Sequence, residues 1–268
     1  MSLGKGLRKK IITKMSLFTT DAIVLKQFDL GEADKIITFY TKEMGKVRAV
    51  ARGVRKTKSP ISGLVLPFSY NNVTIYRGRS LDRINDIRNK YSFSALREDL
   101  TRMAYASYMA ELVEKVGMEN DPNEDLFSLL LTSFYRLLRI EDERINYVDL
   151  AFKTRILGIL GVQPELEKCI YCSKPISLQE HNYFSIEQGG LACTSCYSGK
   201  KERIASLSGE SLQVFKKLLN TGLQPIDKLK ISKGALIELD KLIDSFIIYH
   251  LDIRLKSFNF LHMIKDLG

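Results

Sequence analysis

Ala22-Ile23-Val24-Leu25, Lys35-Ile36-Ile37-Thr38-Phe39-Tyr40, Lys46-Val47-Arg48-Ala49-Val50-Ala51, Asn72-Val73-Thr74-Ile75-Tyr76 and Ile84-Asn85-Asp86-Ile87 decide how the first third of this 268-residue chain folds. Each run is short and rich in β-branched and aromatic residues, and glycines at 31, 45, 53, 63 and 78 punctuate the series. Runs of this kind read as strands separated by turns. No helix-length period lies among them, which argues for a small closed barrel rather than a βαβ unit. The length and strand number fit a five-stranded Greek-key barrel of the OB type.

After Phe93 the apolar spacing becomes helical. Leu96, Leu100, Met103, Ala104, Tyr108, Leu112 and Val116 form one stripe, with Ser94 as a cap and Gly117 as a stop. Asp121-Pro122-Asn123-Glu124 opens a second helix, predicted to carry a cap, a proline at its first position and a glutamate at its third. A third helix runs from about Tyr147 to Leu160. Ser208 and Ser232 cap two more, the last carrying Leu236, Leu239, Leu242, Ile243, Phe246, Ile247 and Ile253. These stripes read as the interior of a helical bundle. The fold class is α+β multidomain. An OB-type barrel occupies residues 15–93, and helical parts over 94–165 and 204–268 flank a cysteine module at 166–203. Residues 1–14 precede a second methionine and read as a leader or a cloning remnant.

All four cysteines fall in that module, as Cys169-Ile170-Tyr171-Cys172 and Cys193-Thr194-Ser195-Cys196. Two pairs at i, i+3, separated by a spacer long enough to fold back, can close a tetrahedral four-thiolate site of the kind zinc prefers. Two disulfides, one disulfide with two free thiols, and a redox Cys-x-x-Cys are the alternatives. His181, between the pairs, could replace one thiolate. Four thiolates leave no open coordination position, so one structural Zn²⁺ would fold the chain without doing chemistry.

Charge divides the chain unevenly. Residues 1–92 hold 19 Lys and Arg against 7 Asp and Glu, and the remainder holds 22 against 24. A basic module joined to a neutral body suits a polyanion. The densest segment, residues 42–59, contains seven basic side chains (Lys42, Lys46, Arg48, Arg52, Arg55, Lys56, Lys58) and one acidic one. A strand feeding a loop can present such groups at phosphate spacing, and each phosphate neutralised releases counterions. Phe39, Tyr40, Phe68, Tyr70 and Tyr76 are the candidate base-stacking aromatics, about half of which must instead fill the barrel. An enzyme reading finds little support. There is no Gly-x-x-x-x-Gly-Lys-Ser/Thr loop, and His181, His250 and His262 lie far apart without a nucleophile at a familiar spacing. Glu32 and Asp34 read as solvent-facing acids. No run of eighteen apolar residues exists, so no membrane span is expected. Thiolate ligands and the lack of a secretory signal point to a reducing cytoplasm.

Three segments resemble the RecO family of bacterial DNA repair and recombination mediators. They are Gly31-Glu32-Ala33-Asp34-Lys35-Ile36-Ile37-Thr38-Phe39-Tyr40-Thr41-Lys42-Glu43-Met44-Gly45-Lys46, Ala51-Arg52-Gly53-Val54-Arg55-Lys56-Thr57-Lys58-Ser59, and Phe152-Lys153-Thr154-Arg155-Ile156-Leu157-Gly158-Ile159-Leu160-Gly161-Val162-Gln163-Pro164-Glu165-Leu166 leading into Cys169. The resemblance implies a non-enzymatic protein that binds single- and double-stranded DNA and anneals complementary strands. It also implies partners: RecR, in some cases RecF, and the acidic C-terminal tail of single-strand-binding protein, so that RecA loads onto coated strands at the nucleoid. On matching positions it assigns DNA binding to Lys35, Lys46, Arg48, Arg52, Arg55, Lys56 and Lys58. It assigns tail binding to the third helix, through Phe152, Lys153, Arg155, Ile156 and Leu157. The competing expectation is a zinc-ribbon OB-fold RNA-binding factor, which would prefer RNA over DNA of equal length.

Overall fold

The computed structural model describes residues 17–177, 182–197, 204–221, 223 and 226–267. Five antiparallel-dominated strands form its first part: β1 (Leu17–Leu30), β2 (Asp34–Thr41), β3 (Gly45–Ala51), β4 (Tyr70–Tyr76) and β5 (Asp82–Tyr91). They close into a barrel in the order β1-β2-β3-β5-β4, with β1 pairing β4 to seal it and β3 meeting β5 in parallel. This is the OB order expected from the strand spacing. The strands are longer than the apolar runs that announce them, because their ends alternate with polar residues. β1 continues to Leu30 past a register shift between Val24 and Lys26. Ala22, Val24, Ile37, Phe39, Val47, Ala49, Ala51, Val73 and Ile75 fill the barrel.

The helices are α1 (Ser94–Glu98), α2 (Leu100–Val116), α3 (Glu124–Arg139) and α4 (Ile145–Ile159), the last entered through a short 3-10 turn at Asp142–Arg144. Two expectations need correction here. The stripe from Ser94 to Val116 is not one helix. Asp99 is extended and caps α2, its Oδ1 accepting the Arg102 backbone N–H at 2.7 Å. Ser94 makes no cap bond; the residue preceding α1 is Phe93, in the left-handed region. Likewise Asn123, not Asp121, caps α3, accepting from the Leu126 N–H at 2.9 Å, so Pro122 lies outside the helix.

After α4 the chain enters the cysteine module. It contains β6 (Asn182–Ser185), β7 (Gly190–Ala192), the single turn α5 (Thr194–Tyr197) and β8 (Ile204–Leu207), in a sheet ordered β7-β6-β8. Then come α6 (Gly209–Thr221), a 3-10 turn at Ile226–Lys228, α7 (Lys233–Leu251) and α8 (Lys256–Leu267). Ser208 accepts from the Ser211 N–H and Ser232 from the Ala235 N–H, the two caps read from sequence. Asp252, at φ +47°, ends α7 and separates α8 from it.

The outside of the barrel packs directly on the helices. Ile23, Leu25, Tyr40 and Phe68 belong to the same buried cluster as Leu112, Phe134 and Phe246. Two glycines permit the approach. A Cβ on Gly117 would stand 2.6 Å from the Tyr40 ring, and one on Gly45 would stand 2.4 Å from the Asp121 carbonyl oxygen. Burial pushes the Tyr40 phenol up to about 12. No helix among the described residues is long and apolar enough to cross a membrane.

Candidate nucleic-acid interface and metal centre

The basic loop leaves β3 at Arg52 and is strapped to the β1–β2 turn. The Gly53 N–H donates to Asp34 Oδ1 at 2.8 Å, and the Arg55 N–H donates to the Ala33 carbonyl at 3.0 Å. The Arg55 guanidinium donates to the Gly31 carbonyl at 2.6 Å and pairs with Asp29 at 3.4 Å. Asp34 is thus a strap for the loop rather than a solvent-facing acid. Once the loop is fixed, Arg52, Lys56 and Lys58 stand exposed and, among the described residues, without a side-chain partner.

The other four residues of the predicted DNA set differ. Lys35 donates to Gln27 Oε1 at 3.1 Å and lies 3.6 Å from Asp29. Arg48 is half exposed and pairs with Glu119 at 3.5 Å. An exposed pair of this kind is worth only about 0–1 kcal/mol, so a phosphate could replace the carboxylate at little cost. Lys46 is half-buried and donates to the Glu114 carbonyl at 2.8 Å, tying the barrel to α2; burial lowers its pKa. Its ammonium is thus engaged within the fold. Arg55 likewise spends its guanidinium on the strap.

The predicted stacking residues are mostly absorbed by packing. Phe39 fills the barrel, and Tyr40 and Phe68 sit in the core shared with the helices. Tyr70 packs edge-on against Phe127 at 6.1 Å, and its hydroxyl donates to Asp21. The exposed aromatic on this face is Phe28, with 53% of its surface accessible. The shift after Val24 turns Lys26 and Phe28 outward, opposite Thr38 and Ile36. Thr38 in turn faces Arg48. These residues, with Leu81 from the β4–β5 loop, line a concavity of about 230 Å³. Sequence reading ended the first strand at Leu25 and so missed both Lys26 and Phe28. The signal was there as alternation resuming beyond Leu25.

The four cysteines converge. Their sulfurs all lie within 4.8 Å of one another, and none forms a disulfide. Cys172 Sγ and Cys193 Sγ are 3.8 Å apart. Metal–sulfur bonds of ~2.3 Å in a tetrahedron give an edge of ~3.8 Å, so the donor set fits one tetrahedral ion. The burial of Cys169 would raise its thiol, but N–H groups of Cys193, Cys172 and Tyr171 point at the sulfur and bring it down to about 6. A thiol so placed is ready to ligate as thiolate. Within the module, the Ile170 N–H donates to the Leu191 carbonyl at 2.9 Å and ties the first cysteine pair to β7. His181 lies outside the described residues.

The third-helix set read as a tail-binding surface is corrected. Phe152, Lys153, Ile156 and Leu157 are each 0% exposed, and only Arg155 of the five is partly accessible. α4 is wrapped by α3, α6 and α7, so its apolar residues are core on every side. Lys153 makes three ion pairs: with Asp149 at 3.1 Å, Asp240 at 2.5 Å and Asp244 at 2.8 Å. Lys265 joins from α8, 2.8 Å from Asp149 and 2.9 Å from Asp240, and His262 reaches Asp244 at 3.2 Å. Burial alone would strip the Lys153 proton, yet the three carboxylates outweigh it and raise its pKa well above the ordinary lysine value.

The chain thus joins a closed OB-type barrel, whose strapped loop holds exposed cations, to a helical body whose four cysteines could hold a metal ion. Comparison with known proteins supplies the family. The model of the RecO N terminus matches residues 15–93 and that of the RecO C terminus matches 97–258. The DNA repair protein RecO of Pelotomaculum thermopropionicum is 38% identical over 247 residues, 92% of this chain and 94% of that protein. Those of Desulforamulus reducens and Alkaliphilus metalliredigens are 36% and 33% identical, covering 92% and 94% of this chain and 94% and 100% of their own. The chain belongs to the RecO family of DNA repair proteins.

Proposed function

We propose that this chain is a non-enzymatic DNA-binding recombination mediator that holds single and double strands and anneals complementary ones. With RecR, and in some cases RecF, it loads RecA onto strands coated by single-strand-binding protein in the bacterial cytoplasm, at the nucleoid. The observation that carries the reading is the trio Arg52, Lys56 and Lys58, exposed and, among the described residues, unpartnered, on a loop pinned by Asp34 and Ala33. Annealing needs charge neutralisation between two phosphate chains and contacts that exchange quickly. A basic rim without deep base-reading pockets suits both needs. The cysteine cluster holds one Zn²⁺ that joins the two helical parts and does no chemistry. The acidic tail of single-strand-binding protein would meet the helical body, where Arg155 is the accessible member of the α4 set.

The test is the triple substitution of Arg52, Lys56 and Lys58 to Ala. Three lost phosphate contacts should weaken binding on the order of 10²-fold near 0.1 M salt, and flatten the log K against log salt slope by about 2–3. Annealing should fall with binding. Affinity within twofold of wild type would remove the loop from the interface, and preference for an RNA strand of equal length would overturn the DNA assignment.

A further inference from the structure

From Phe28 and its neighbours we infer a receptor for one unpaired base of single-stranded DNA, separate from the phosphate-binding loop and responsible for preference between single strands and duplex. The inference rests on the DNA-binding reading above and deepens it. Phe28 stands opposite Ile36 on β2, and Ile36 stands opposite Val50 on β3, so the three form one row across the outer face of the barrel. The next row is Lys26, Thr38 and Arg48. Leu81 overhangs from the β4–β5 loop and completes the concavity of about 230 Å³. This is smaller than the roughly 300–1,000 Å³ that encloses a whole small molecule, and its open side faces solvent, so it suits one ring of a polymer.

The lining is mainly apolar: a phenyl ring, two branched aliphatic chains and the stems of two cations, with Thr38 between them. Its rim is charged. Lys26 lies 5.1 Å over the Phe28 ring while pairing with Glu114 at 2.9 Å, and Arg48 pairs with Glu119. The cations are therefore already compensated here, so this patch alone attracts a polyanion weakly. What it offers is a π-face. Attraction comes from the loop: Arg52 follows the last residue of β3, two positions beyond Val50, and carries the unpaired charge to the edge of the same row. Arg55 of the same loop pairs with Asp29, the neighbour of Phe28, so a strand whose phosphates run along the loop passes the end of β1 that carries the exposed ring. A base in a duplex is stacked and paired and cannot enter; an unpaired base can, at no cost in pairing. The loop binds either form, and the Phe28 row distinguishes them.

The experiment compares wild type, Phe28→Ala and Phe28→Trp as full chains, using a thymidine-only strand and a blunt duplex of equal length at one salt concentration. Loss of one base–aromatic stack predicts that Phe28→Ala weakens single-strand binding about 5- to 100-fold. Duplex binding should stay within twofold, and Phe28→Trp should restore the single-strand value. Equal losses on both substrates, or single-strand affinity within twofold of wild type, would overturn the receptor while leaving the basic loop intact. If Phe28→Ala spares both DNA forms but abolishes binding of an acidic peptide ending in phenylalanine, the occupant is a protein tail and the proposal fails. Wild-type protein that binds neither substrate would overturn the DNA-binding reading itself, and the receptor with it.

Discussion

Lys56 in the barrel and Lys153 in the helical body are the same side chain under opposite rules. Lys56 is exposed on a loop and, among the described residues, has no side-chain partner. Lys153 is fully buried among Asp149, Asp240 and Asp244, and its charge is consumed by the fold. The barrel's loop leaves Lys56 exposed, whereas the helical body neutralises Lys153. What separates the two regions is the neighbouring surface, since a loop cannot bury a lysine and a helix packed on all sides must neutralise one.

The largest break in this comparison is removal of the metal. Structural zinc sites in zinc-finger peptides bind with an apparent ~10–16 kcal/mol. Chelation should therefore open the segment around Cys169 to Cys196 to hydrogen exchange and lower the melting temperature of the helical body, while DNA affinity changes by less than twofold. Zinc content well below one per chain in the purified protein would refute the assignment.

A smaller effect is expected from Lys153→Met. Removing one partner from a buried ionic cluster leaves uncompensated carboxylates, at a cost of about 3–5 kcal/mol in denaturant unfolding. Fluorescence-monitored urea titration measures this, and DNA binding by the molecules that remain folded should be unchanged. A cost below about 1 kcal/mol would mean that water reaches the cluster.

Acidity probes the same cluster more gently. Burial works to raise the Asp240 and Asp244 carboxyls, but the Lys153 charge overrides it and holds both below the ordinary carboxylate range. Their folded pKa values lie below the unfolded value of ~3.9, so their stabilisation is complete above about pH 5 and drains away as pH falls through 4. Lys153 is raised instead, so its contribution is present below the unfolded value of ~10.4 and is lost only as pH climbs through the higher folded one. Stability should fall by ~1–3 kcal/mol between pH 6 and pH 3. Lys153→Met should erase most of that slope, while the Arg52, Lys56 and Lys58 triple variant should leave it untouched.

The barrel and the cysteine cluster were legible in the sequence because each rests on a local signal: strand-length runs between glycines, and sulfur pairs at i, i+3. The straps were not. Asp34 meets Gly53 across nineteen positions, and nothing local marks that bond. Phe28 was missed because a register shift resets the alternation at Lys26. The Phe152 to Leu157 set was misread because α4 is covered on most of its faces, and a helical stripe states which residues are apolar without stating how many sides are covered. For Lys153 the one local sign was Asp149 four positions earlier; Asp240 and Asp244 lie some ninety residues away.

Tyr40 seated against Gly117, with Ile23 and Leu25 sunk in the helical core, turns two architectures into one solid piece. The barrel and the helices share one buried core, so they are joined by packing as well as by the chain. A ligand held on the barrel would therefore keep a fixed position relative to the helices packed against it.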